Sequence, residues 1–122
     1  MHADEIITGS FVNASAIIEY IKMKKPPLVS LVCMGYAASI PVEEDTFCAD
    51  YISNELKGVK SNFDQMKKRI RETSGLRFFE PDKQSFAPSS DFDLCLNINH
   101  FNFVLQAEKI NENVELKRIN LY

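Results

Sequence analysis

The order of apolar runs and helical patterns predicts an α/β domain: a layered, mainly parallel sheet with crossover helices and a C-terminal β-hairpin. Three observations carry that expectation. Two short apolar runs, Glu5-Ile6-Ile7-Thr8 and Leu28-Val29-Ser30-Leu31-Val32-Cys33, are each followed by a glycine-bearing loop and a helical pattern. Such alternation belongs to layered sheets with right-handed crossovers. The second run is almost continuously apolar, as in a parallel strand covered on both faces. Near the end, the polar Asn111-Glu112-Asn113 separates two strand-like stretches, residues 103–109 and 114–119, which reads as an antiparallel hairpin.

Each element has a local reason. The first run is β-branched and stops at Gly9, as a short buried strand would. Ala14, Ile17, Ile18 and Ile21 then fall at helical spacing behind Asn13, a good N-cap, and Lys22, Lys24 and Lys25 gather where a helix C-terminus favours cations. Pro26-Pro27 ends that helix. A second helix is expected over residues 43–56, with Phe47, Cys48, Tyr51, Ile52 and Leu56 as its apolar stripe and Gly58 closing it. A third runs from an Asn62 cap to about Thr73, with Phe63, Met66 and Ile70 on one side and Gly75 as its stop. Residues 76–88 hold two prolines and no clear period, so they read mostly as loop, and Ser89-Ser90-Asp91 starts a short helical turn through Leu96.

Composition bounds the function. The 122 residues make one domain, 1–122, and 45% hydrophobic with 25% charged residues is the balance of a globular chain rather than a disordered one. No apolar run approaches the roughly eighteen residues of a spanning helix, and the first residues lack the features of a signal peptide, so the expected location is cytoplasmic with no membrane partner. A formal charge of −3 gives no overall attraction for nucleic acid, and the basic stretch Lys67-Lys68-Arg69 with Arg71 reads as a solvated helix face without aromatic stacking groups. Three widely spaced cysteines, Cys33, Cys48 and Cys95, suggest reduced thiols rather than a disulfide framework, and His2 and His100 stand at no zinc-ligand spacing from them. Cys33 at a strand end could be a nucleophile or a small buried hydrophobe; Cys48 and Cys95 read as core.

In an open α/β sheet, ligands bind beyond the carboxyl ends of the strands. Two loops would lie there. In Gly9-Ser10-Phe11-Val12-Asn13-Ala14, the glycine permits a turn, Ser10 and Asn13 offer hydrogen bonds, and the following helix N-terminus would present N–H groups to an anion. A cap and a turn account for the same residues without any ligand. The second loop, residues 33–46, ends in Glu43-Glu44-Asp45-Thr46. Acidic residues in a first helical turn complement the macrodipole. They are equally the hard oxygen ligands that Mg²⁺ takes together with substrate phosphate.

The same two loops carry a resemblance. Gly9-Ser10-Phe11-Val12-Asn13-Ala14-Ser15-Ala16, Val32-Cys33-Met34-Gly35 and Glu44-Asp45-Thr46-Phe47-Cys48-Ala49, in this order, resemble the C-terminal half of the 2-phosphosulfolactate phosphatase family. The later Asp91-Phe92-Asp93-Leu94-Cys95-Leu96 and Phe101-Asn102-Phe103-Val104 are similar to that family's end. The resemblance implies magnesium-dependent hydrolysis of 2-phosphosulfolactate to sulfolactate and phosphate, a step of coenzyme M biosynthesis. It implies Ser10, Asn13, Gly35 and Ser39 as contacts to the phosphorylated sulfonate substrate. It also implies Glu44 and Asp45 as the catalytic and magnesium-holding carboxylates, with Thr46 in support. Family members are about twice this length, and their N-terminal half brings an Asp- and Arg-bearing motif absent here. The expected partners are therefore a second copy or a missing N-terminal half. The alternative is a non-catalytic, anion-binding or self-associating fragment of the same fold.

Overall fold

The computed structural model describes residues 3–34, 43–85 and 89–121. The described residues form three strands and four helices: β1 (Ile7–Thr8), α1 (Ala14–Lys24), α2 (Glu43–Leu56), α3 (Phe63–Glu72), α4 (Ser89–Cys95), β2 (Phe103–Ile110) and β3 (Asn113–Asn120). Short 3₁₀ turns fill Phe11–Asn13, Ser74–Phe79 and Pro81–Lys83.

The sheet is antiparallel, in the order β1-β2-β3. β1 pairs with β2 through Ile7↔Gln106 and Thr8↔Leu105, and β2 pairs with β3 from Phe103↔Asn120 to Ile110↔Asn113. The hairpin expected at the C-terminus is present, and Asn111 takes the left-handed conformation that its turn requires (φ 58°). The mainly parallel sheet is not. Residues 25–34 form no strand, and Leu28 and Val32 are 81% and 59% exposed. A continuous apolar run marks a buried parallel strand only where a neighbouring ladder and a layer on each face exist to receive it. Here β2 already has a partner on each side, and the first strand runs antiparallel to it, so no crossover is made. β1 is also shorter than expected and lies at the sheet edge, with Ile7 half-buried and Thr8 exposed.

The helices follow their sequence signals closely. Asn62 caps α3 by accepting from Gln65 N–H at 3.1 Å. The end of α2 is a full Schellman closure, in which Val59 N–H reaches Asn54 O at 2.8 Å and Gly58 N–H reaches Glu55 O at 3.2 Å. Gly58 occupies the left-handed position that this closure demands (φ 76°). α1 ends on Lys25 in the same conformation, its N–H bonded to Ile21 O at 2.9 Å, before the two prolines.

One core joins these parts. α1 packs on β2, α2 on α1, and α3 on α2, while α4 packs on the 3₁₀ turns at Phe11–Asn13 and Ser74–Phe79. Phe11 stands between α2 and α3, edge-on to Phe63 at 5.1 Å and to Tyr51 at 6.1 Å. Phe92 of α4 meets Phe79 at 5.1 Å. Ile70 and Val104 are the most deeply buried large side chains, each contributing roughly 1.5–3 kcal/mol by leaving water. α3 closes on Thr73 rather than on the expected Gly75, which lies inside the following 3₁₀ turn; its lack of a side chain serves packing, because a Cβ there would lie 2.7 Å from Ile70 O. No helix among the described residues is long and apolar enough to cross a membrane.

Candidate functional site

The link between β1 and the Phe11–Asn13 turn lies beside the first turn of α2. Gly9, Ser10 and Phe11 from the link, Glu44, Asp45 and Cys48 from α2, and Cys95 and Leu96 from the end of α4 line a cavity of about 140 Å³. Small-molecule sites usually start at roughly 300 Å³, so this volume suits a phosphoryl-sized group rather than a large cofactor. A wider, more open concavity of about 670 Å³ lies between α2 and α3, with Phe47, Asn54, Lys60, Lys68, Arg69 and Glu72 on its walls. It shares no residue with the smaller one, and the acidic first turn of α2 belongs to the smaller.

Ser10 and Asn13 are coupled. The buried Asn13 amide donates through Nδ2 to Phe103 O at 3.0 Å, which leaves Oδ1 to accept the Ser10 hydroxyl proton at 2.8 Å. With that proton directed at Asn13, the exposed Ser10 oxygen offers lone pairs to its surroundings. Asn13 occupies the N-cap position of α1 but makes no side-chain cap bond, and it does not line the cavity. Its Nδ2 bond ties the start of α1 to β2, and its Oδ1 holds Ser10 to the same point.

The N–H groups expected to await an anion at the start of α1 are also partnered. Ala14 N–H bonds Phe11 O, and Ser15 N–H is accepted by Asn99 Oδ1 at 2.9 Å. Asn99 is the residue that sequence reasoning missed. It takes a left-handed backbone (φ 58°), donates its own N–H to Phe11 O at 2.9 Å, and is followed by a Phe101 N–H to Val12 O bond at 2.8 Å. The Asn-rich stretch before β2 signals a turn, but a cap reaching across 84 residues leaves no local trace.

Glu44 and Asp45 are half-buried in the first turn of α2, where the helix dipole stabilises their charge. Thr46 beside them is exposed. Gly35 and Ser39 lie outside the described residues. The cysteines gather at this end of the molecule. Cys33, in the irregular segment rather than at a strand end, approaches the Asp45 carbonyl with its thiol at 3.6 Å. Cys48 is buried, and its thiol is pushed up to about 12, first by burial and then by the charges of Asp45 and Cys33, so it stays protonated near neutral pH. Cys95 is exposed at the cavity wall rather than in the core as expected. His100 is outside the cavity lining; its Nδ1 lies 3.2 Å from Asn97 Nδ2.

Neither the curated proteins nor the solved structures include a significant match to this chain. A family model does match, over residues 1–109 of 122, a span that holds every residue of the cavity wall. Its description is 2-phosphosulpholactate phosphatase, and the chain belongs to that family.

Proposed function

We propose that this chain is a magnesium-dependent phosphatase that hydrolyses 2-phosphosulfolactate to sulfolactate and phosphate. The observation that carries the reading is the meeting of Ser10 with Glu44 and Asp45 around one small cavity, in a chain of this family. The donor chemistry suits magnesium: two adjacent carboxylates and a hydroxyl oxygen with lone pairs turned outward are hard oxygen ligands, and Mg²⁺ typically takes one or two carboxylates beside phosphate and water. No group of three or more His, Cys, Asp and Glu side chains poised for a metal occurs among the described residues, so the magnesium reading rests on these oxygen donors and the family. Magnesium, when bound, would polarise a phosphoryl oxygen and offset charge on the departing alkoxide.

In this reading Glu44 and Asp45 hold the cation, and Ser10 sits on the cation side of the site rather than against the oxyanion. Asn13 acts from behind by fixing the direction of the Ser10 hydroxyl. Gly35 and Ser39 are proposed as substrate contacts, on the family resemblance alone.

The test is phosphate release from 2-phosphosulfolactate with Mg²⁺, comparing the chain with its Glu44→Ala/Asp45→Ala double variant, both checked for native circular dichroism. Release well above that of the variant, and lost on chelation, is expected. Equal rates for the two proteins would reject catalysis by these carboxylates.

A further inference from the structure

β3 is the outer strand of the sheet, and among the described residues nothing pairs with its far side. The direction of its backbone groups follows from its neighbours. Ala107 N–H donates to Ile6 O, toward β1, while Leu121 N–H donates to Asn102 O, across the other side of β2. Bonded and non-bonded pairs alternate along an antiparallel ladder, so the odd residues of β3 bond back to β2. Val114, Leu116 and Arg118 therefore aim N–H and C=O at the open edge. Their side chains stand on the face opposite Val104, where Val114 is 69% and Leu116 55% exposed. Such an edge recruits another strand unless something blocks it.

We propose that β3 pairs with β3 of a second copy of this chain, antiparallel about a two-fold axis through Leu116, giving one continuous six-stranded sheet. Charge selects both the occupant and the register. With the axis at Leu116, Leu116 faces its own copy, Val114 faces Arg118, and Glu115 faces Lys117 twice. An axis at Glu115, Lys117 or Arg118 sets like charges opposite each other, and one at Val114 leaves Glu115 against Asn113. Within one chain, Glu115 already stands directly across from Glu108, a like-charge pair that disfavours the hairpin. The partner's Lys117 supplies the missing cation from the open side. The opposite edge of the sheet is the two-residue β1, too short to compete. β3 lies beyond the family match, which ends at residue 109, so the interface stands independently of the phosphatase reading.

Sedimentation equilibrium of the whole chain tests this, and a mass twice the 13.9 kDa of one copy is expected. Glu115→Lys and Lys117→Glu each place like charges at both facing positions and weaken the dimer by roughly tenfold or more. An equimolar mixture of the two variants returns to dimer, because every altered position then faces its opposite. Glu115→Lys also removes the Glu108–Glu115 repulsion, so its thermal stability as a monomer is undiminished, which separates a lost interface from misfolding. A monomeric mass for the unaltered chain at sub-millimolar concentration, a dimer indifferent to both substitutions, or a mixture that stays monomeric would each overturn the proposal.

Discussion

Replacing Asn13 by alanine isolates the contact that holds the start of α1 to the sheet. The side chain is 5% exposed, and both of its polar atoms are engaged, with Ser10 at 2.8 Å and Phe103 O at 3.0 Å. Each hydrogen bond is worth about 0.5–1.5 kcal/mol net, and truncation also leaves the carbonyl of the half-buried Phe103 short of a partner. The expected cost of Asn13→Ala is therefore about 2–4 kcal/mol, a drop in melting temperature of roughly 10 °C for a chain of this size. Ser10→Ala should cost less than about 1 kcal/mol, since Ser10 is exposed and water replaces its bond. If the two act as a unit, the double variant will cost no more than Asn13→Ala alone, falling short of the sum by the whole Ser10→Ala cost. Urea titrations followed by circular dichroism give all three values, provided the slope with denaturant stays constant. An Asn13→Ala protein within about 0.5 kcal/mol of the parent would refute the argument, because a buried amide with two engaged ends cannot be removed so cheaply. Strict additivity would show that the Ser10 hydroxyl does not depend on Asn13 in solution.

Two other outcomes follow from the core and from the alkaline range. Gly75→Ala forces a Cβ to within 2.7 Å of Ile70 O and 3.0 Å of the Phe92 ring, so it should cost about 1–3 kcal/mol in urea unfolding. Gly9→Ala, whose Cβ would meet nothing closer than 3.9 Å, should stay within about 0.5 kcal/mol, and a reversal of that order would contradict the packing described. Tyr20 has its phenol pushed up to about 12 by burial and by the hydrogen bond and charge of Glu5, against 10.0 unperturbed. The folded state thus favours the neutral phenol. That contribution is intact below pH 10 and is lost as pH rises from 10 to 12. Tyr20→Phe should flatten stability across this window, and an equally steep decline in the variant would show that other groups cause it.

Much of the fold was legible because its signals are local. Asn62 capping α3, Gly58 closing α2 and the polar turn of the β2–β3 hairpin each act within a few residues, and the chain obeys them. The sheet is not legible, for the complementary reason. Residues 28–33 have the composition of a buried strand, yet whether they pair depends on partners far along the chain, which composition does not specify. The candidate site shows the same division more sharply. A rule for parallel sheets makes Ser10 and the Glu44–Asp45 pair neighbours, and no parallel sheet exists among the described residues. They adjoin one cavity for other reasons: Asn13 and Asn99 clamp the Ser10 turn to the segment leading into β2, and Phe11 of that turn packs between α2 and α3. Both clamps span more than eighty residues, so their partners could not be named from the sequence. Ser10 is therefore positioned through contacts that lie outside the cavity altogether. Substitutions at Asn13 or Asn99, neither of which lines it, should move the Ser10 oxygen as surely as substitutions within it.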